Sequence, residues 1–241
     1  DNFDDEGNPT ITYNNAAGNS VELLQACISL DGSRDDVPYR DVPKTGSFYP
    51  FDLTDEERKT LRKGTNSEVR YVTFYLKTKI AGVTYVSDLV RKFSIKDGKP
   101  VISANVYDNN QTTVNLTKNN KVLVKYYSNA HYEVTVTPKK EAIIPDNSVI
   151  VYHNGKTVIR TSGTWNSVEN NTFKFDAVDS RGIPAETAEV VLEMVDYVKI
   201  TCDLGNNKPS FNGNMTVTCS GNYFNGRFGS SGDQNTLTVE Y

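Results

Sequence analysis

Side chains able to do chemistry are scarce: three cysteines, two histidines and one tryptophan in 241 residues. Cys202 stands in Ile200-Thr201-Cys202-Asp203-Leu204, where strand alternation places it on one face with Ile200 and Leu204. Cys219 ends Met215-Thr216-Val217-Thr218-Cys219 and shares a face with Met215 and Val217. Both are therefore expected to point towards a core. Two readings stay open, a disulfide between facing strands or two small buried hydrophobes in a reduced protein. Cys27 has the opposite phase to Leu24, Ala26, Ile28 and Leu30, and no partner is expected for it. No Cys-x-x-Cys pair offers a zinc site. A catalytic thiol needs an adjacent base, and only His131 or His153 is on hand. The chain has no Gly-x-Ser-x-Gly elbow, so Ser220-Gly221 and Ser230-Ser231-Gly232 read as turns. Neither a Gly-x-Gly-x-x-Gly fingerprint nor a P-loop occurs.

Carboxylate pairs are the other candidate machinery, because a glycosidase needs only two. Asp176/Asp179, Asp35/Asp36 and Asp4/Asp5/Glu6 are the clusters. Each falls at a strand end or turn, where Asp normally serves the backbone. Asp1 to Glu6 offers oxygen ligands for calcium but misses the Asp-x-Asp-x-Asp-Gly spacing. No catalytic residue, metal or cofactor is assigned. Aromatics among Gly and Asn remain: Tyr223, Phe224 and Phe228, with Tyr126-Tyr127 and His131-Tyr132 elsewhere. Such rings can stack on sugars, or they can fill gaps between sheets and seal a subunit contact. Sequons at Asn110, Asn115, Asn170 and Asn214 matter only in a eukaryotic secretory setting.

Composition narrows the partners. A net charge of −4 leaves no basic excess to neutralise phosphates, so nucleic acid is not expected. No apolar run approaches the roughly 18–20 residues that span a bilayer, and no signal-peptide pattern opens the chain.

The positioning elements are expected to be strands. β-branched and aromatic residues recur in short period-2 runs closed by Asn, Asp or Gly, the spacing of β-sandwiches. In residues 69–77, Val72, Phe74 and Leu76 share one face, with Arg70 on the same parity and Ile80 following on it. Ala81-Gly82 joins this run to Val83-Thr84-Tyr85-Val86 as a hairpin. A second hairpin links 148–152 to 156–160 through His153-Asn154-Gly155, since Asn-Gly tolerates the positive φ of a type I′ turn. One segment breaks the pattern. Thr54 and Glu57 form a capping box, acids fill the first turn, bases the last, and Gly64 fits the C′ position. With only Leu53 and Leu61 to bury, a short connector helix near 54–63 is expected, outside the core.

A phrase repeats. Asp5-Glu6-Gly7-Asn8-Pro9-Thr10-Ile11 is echoed by Asp97-Gly98-Lys99-Pro100-Val101-Ile102 and by Asn206-Asn207-Lys208-Pro209-Ser210-Phe211. A polar turn, then Pro, then a β run suits a module boundary. Alternation over 172–179, the turn Ser180-Arg181-Gly182 and a return strand over 190–195 resemble the closing strands of bacterial and viral immunoglobulin-like modules. The expected fold is all-β, as tandem immunoglobulin-like sandwiches: 1–97, 98–195, and 196–241 as the start of a third module cut short in a fragment of a longer chain.

Longer phrases carry a family resemblance. Leu24-Gln25-Ala26-Cys27-Ile28-Ser29 through Val37-Pro38-Tyr39-Arg40-Asp41-Val42, Lys44-Thr45-Gly46 and Phe51-Asp52-Leu53-Thr54-Asp55-Glu56-Glu57-Arg58 resemble minor structural tail proteins of siphophages of streptococci and related Gram-positive bacteria. Val195 to Cys202 and Gly221 to Gly226 are similar to the same family. The resemblance implies a non-enzymatic virion component of the tail tip, baseplate or fibre, extracellular, made of tandem β-sandwich modules. It implies other tail subunits and copies of itself as partners, trimers being frequent in fibres, and a role in host-surface attachment through surface polysaccharide. The rival reading is a bacterial surface adhesin or carbohydrate-binding module array, with sugar stacking at Tyr223 and Phe224; a hydrolase with scattered carboxylates is the third.

Overall fold

The computed structural model describes residues 2–206, 217–238 and 240. Residues 207–211 of the third Pro echo, the Asn214 sequon, Met215, and Val239 and Tyr241 of the Thr236–Tyr241 run lie outside the described residues. The fold is mostly β, distributed over several sheets. The chain divides into two compact units, each drawn from three stretches of sequence. The first comprises Asp1–Ile102, Val136–Ser148 and Asp176–Glu186; the second comprises Ser103–Thr135, Val149–Phe175 and Thr187–Tyr241.

The first unit contains β1 (Phe3–Asp4), β2 (Thr10–Thr12), β3 (Leu23–Ser29), β4 (Val37–Asp41), β5 (Phe48–Pro50), the helix α1 (Asp55–Lys63), β6 (Val69–Ile80) and β7 (Val83–Ser94). A five-stranded sheet has the order β1-β7-β6-β3-β4, and β2 pairs with β5. The core gathers Leu24, Ala26 and Ile28 of β3, Val72 and Phe74 of β6, Phe93 of β7, and Phe51, Leu53 and Leu61. The face read from Val72, Phe74 and Leu76 is thus the core face, with Ile80 packed at its end.

α1 has the expected start. The Glu57 N–H donates to Thr54 Oγ1 at 3.3 Å, and the Thr54 N–H donates to Glu57 Oε2 at 2.8 Å. Its role differs from the expectation, because Leu61 is fully buried in the core. Gly64 is also used differently. Its φ is −74°, not left-handed. A Cβ there would lie 2.2 Å from Leu30 Cδ1, so a larger residue requires the Leu30 side chain to shift.

The second unit contains β8 (Val101–Asp108, its first two residues in the first unit), α2 (Gln111–Thr117), β9 (Val122–Val124), β10 (Ala130–Thr137, its last two residues in the first unit), β11 (Val149–His153), β12 (Lys156–Ile159), β13 (Ser162–Trp165), β14 (Thr172–Ala177, its last two residues in the first unit), β15 (Ala188–Val191), β16 (Glu193–Val195), β17 (Asp203–Asn206) and β18 (Val217–Ser220). Its sheets run β13-β10-β8 and β12-β11-β14-β15, with the pairs β16-β9 and β17-β18. α2 was not foreseen. Asn110 caps it, accepting from the Thr112 N–H at 3.1 Å. The buried Asp108 carboxylate anchors its start, accepting from Thr113 Oγ1, from Ser128 Oγ at 2.6 Å, and from the Asn110 and Asn129 N–H groups at 3.0 Å each.

β16 pairs in parallel with β9. Phe228 joins Val122, Val124 and Val195 in one buried cluster, with Tyr197 and Phe224 against it.

Candidate interaction surface

The β6–β7 hairpin follows from its turn. Ala81 and Gly82 have φ of +49° and +78°, so both central positions take the left-handed values of a type I′ turn. The twist of that turn matches paired strands, and register runs unbroken from Ile80↔Val83 to Val69↔Ser94. Both strands extend well past the short runs legible in sequence. Only Phe3 and Asp4 of β1 pair with β7, opposite Phe93 and Ser94.

Among the described residues nothing else pairs with this side of β7, so most of it is an open edge. Its outward peptide groups can be phased. The Ser94 carbonyl accepts from the Asp5 N–H at 3.0 Å, and the Lys92 N–H donates to Asn2 Oδ1 at 3.0 Å. Even-numbered residues thus face away from β6, and alternation assigns Thr84, Val86, Asp88 and Val90 to the open side. Apolar side chains accompany them: Val83, Tyr85, Val86, Leu89 and Val90 are each 41–57% exposed. Between residues 83 and 90 the strand carries one charge, Asp88, and neither Pro nor a bulge. Edge strands normally carry such protection. Beside Leu89 a groove of about 350 Å³ opens on the core face, bounded by Ile11, Tyr13, Phe74, Leu76 and Arg91.

The predicted aromatic platform is largely internal. Phe228 is buried, and Phe224 rests 5.2 Å from Phe228 and 5.6 Å from Tyr197, ring centre to ring centre. Of the three residues, Tyr223 alone is exposed. Gly and Asn next to an aromatic signal a turn, which says nothing about which way the ring faces.

Cys202 and Cys219 also differ from expectation. Both are exposed free thiols, not core residues and not a disulfide. They do adjoin: Cys219 lies opposite Leu204 across β17–β18. The hydrogen bond to Cys219 pushes the Cys202 thiol up. The hairpin exposes both of its faces at this position, so alternation marked a shared face without marking a core. Cys27 is buried and free, and burial pushes its thiol up.

The imidazoles serve packing. His153 is buried, stacked 4.3 Å from Phe173, with Nδ1 3.1 Å from the Thr172 carbonyl; burial holds it below the ordinary histidine range. His131 Nδ1 meets Thr164 Oγ1 at 2.9 Å. The acidic clusters serve the backbone. Asp179 Oδ1 accepts from the Arg181 and Ile183 N–H groups at 2.9 Å, and Asp36 Oδ2 from the Leu30 N–H at 2.8 Å. Asp4 Oδ1 accepts from the Glu6 and Gly7 N–H groups at 3.0 and 2.7 Å.

One cluster escaped sequence reasoning. The Asp5 side chain is fully buried, its Oδ2 facing Lys140 Nζ at 3.0 Å and Arg62 Nη1 at 3.5 Å. Its Oδ1 accepts from the Lys96 N–H at 2.8 Å. Arg62 also grips Glu141 through Nε and through Nη2, the latter at 3.0 Å. Arg181 donates to the carbonyls of Lys139 and Arg62 at 3.2 Å each and to that of Lys140. The Glu141 hydrogen bond raises Arg62, and the Glu6 hydrogen bond raises Lys140. Lys140 and Arg62 both face the Asp5 carboxylate. Among the described residues, no three His, Cys, Asp or Glu side chains converge as metal ligands. The cluster fixes residues 136–148 and 176–186 in the first unit. Partners 41 positions apart or more leave no local signal.

No family model matches the chain, and no curated protein matches it. Among solved structures, the crystal structure of the Pseudomonas aeruginosa CupB2 chaperone aligns over 79% of this chain and 95% of that chain, at 13% identity and a TM-score of 0.25, a likeness too slight to assign a fold family or a function.

Proposed function

We propose that this chain is a non-enzymatic structural component of a bacteriophage tail, of the tip, baseplate or fibre, built from immunoglobulin-like β-sandwich units and contributing to host-surface attachment. It works in the extracellular virion by packing against other tail subunits and copies of itself. The observation that carries the reading is the unprotected β7 edge with its row of exposed apolar side chains, which suits a subunit made to be covered in an assembly. The phrases over 24–58 and 195–226 resemble siphophage tail proteins and supply the class of assembly. Residues that could have done hydrolysis are spent otherwise: Asp4, Asp36 and Asp179 bind backbone, Asp5 binds cations, and His153 stacks in a core.

Electron microscopy of purified virions with antibody against this chain tests the proposal. Label on the tail is expected, and label confined to the capsid would overturn it. The carbohydrate-array alternative loses two of its three stacking faces, because Phe224 and Phe228 pack inward. Glycan binding by the isolated chain that disappears in Tyr223→Ala would restore it.

A further inference from the structure

We infer that β7 is a self-pairing edge: two copies of this chain join antiparallel through β7, with the two-fold axis passing at Ser87. The inference rests on the assembly reading above and names the partner of that surface.

A second copy fits this edge because what the edge leaves open is symmetric. Its outward residues, Thr84, Val86, Asp88 and Val90, are spaced evenly about Ser87. An axis at Ser87 sets Thr84 against Val90 of the partner copy and Val86 against Asp88 of the partner copy. Every outward N–H and carbonyl of those four residues then meets a complement. Neighbouring registers do worse. An axis at Asp88 brings two carboxylates face to face, and it needs the Lys92 N–H, which Asn2 already holds. An axis at Val86 leaves Val90 unmatched. The Val90 carbonyl accepts from Arg91 Nη1 at 2.8 Å, and its second lone pair faces the partner.

Side chains agree with this register. On the groove side, Tyr85 and Leu89, 57% and 49% exposed, fall opposite Leu89 and Tyr85 of the second copy. Aromatic–aliphatic pairs directly opposite stabilise antiparallel strands. A closed two-fold contact uses up both edges, so it stops at two copies and leaves no row of open peptides. One strand pair covers less than the roughly 800 Å² per partner of a standard interface, so the dimer is expected to dissociate on dilution.

Sedimentation velocity of the full chain over a dilution series tests this. Val86→Pro is the decisive variant. Its lost N–H points away from β6, so the β6–β7 ladder keeps its bonds while the intermolecular one is removed. The expected result is a reversible dimer for the parent chain and at least a tenfold weaker one for Val86→Pro, with unchanged far-ultraviolet circular dichroism. Disulfide trapping reads the register independently. In a Cys202→Ser, Cys219→Ser background, Ser87→Cys should cross-link two copies under copper-catalysed air oxidation. Opposite residues of such a pair have Cα atoms about 4.5 Å apart, within disulfide reach. A parent chain that is monomeric throughout, a Val86→Pro dimer as tight as the parent, or trapping through Leu89→Cys in preference to Ser87→Cys would each overturn the inference. A monomeric chain that still labels phage tails would sink the self-pairing alone. A dimer absent from tails would sink the tail reading alone.

Discussion

Replacing Asp5 by Asn removes one charge from the buried cluster and little else. The Asn oxygen can still accept from the Lys96 N–H, now at 2.8 Å, and the volume is nearly unchanged. What is lost is the carboxylate shared by Lys140 Nζ at 3.0 Å and Arg62 Nη1 at 3.5 Å. Asp5 has no side-chain exposure, while Arg62 and Lys140 retain 13% and 22%. Deleting one partner of a buried pair costs about 3–5 kcal/mol, because the remaining charge stays desolvated. Glu141 still pairs with Arg62 and Glu6 still pairs with Lys140, which places the expected loss near the lower end, about 3 kcal/mol. The control is Asp4→Asn. The contact of Asp4 with Lys96 spans 3.8 Å between side chains 32% and 58% exposed, and its loss as an ion pair should cost under about 1 kcal/mol. Urea unfolding of both variants, followed by circular dichroism, makes the comparison. An Asp5→Asn loss no larger than that of Asp4→Asn would refute the view that these charges hold residues 136–148 in the first unit.

Leu61→Ala should destabilise the chain by about 2–5 kcal/mol in the same assay, since Leu61 is fully buried; a cost under about 1 kcal/mol would return α1 to a surface connector. His153 favours its neutral form when folded, so below pH 6.5, the ordinary value, the unfolded chain binds more protons than the folded one. Stability from this group is therefore complete above that pH and falls as the solution is acidified, and His153→Phe should flatten the slope; an unchanged slope contradicts the assignment. Thiol titration with an aromatic disulfide reagent should find Cys202 and Cys219 reactive in the native protein and Cys27 only after unfolding, and protection of the first two would contradict their exposure.

Local elements were legible wherever a short-range rule governs them. The Asn154-Gly155 turn has φ of +49° and +71°, the Ala81-Gly82 turn closes its hairpin, and the Thr54/Glu57 box starts its helix. Burial was legible only where one face of a strand meets a core, as at Val72 and Phe74. Period 2 reports that two residues share a face, and burial depends on what covers that face. Cys202 and Cys219 share one that nothing covers, and Phe224 and Phe228 sit in a turn that packs inward.

The amino-acid sequence by itself determined the β character, both tight turns and the helix start, because φ preferences, side-chain alternation and capping act within a few residues. Tertiary structure alone decided the interleaved units, the Asp5–Arg62–Lys140 clamp and the open β7 edge. Each depends on which distant segments meet, and a buried charge or an unpaired peptide group is defined by its neighbours in space.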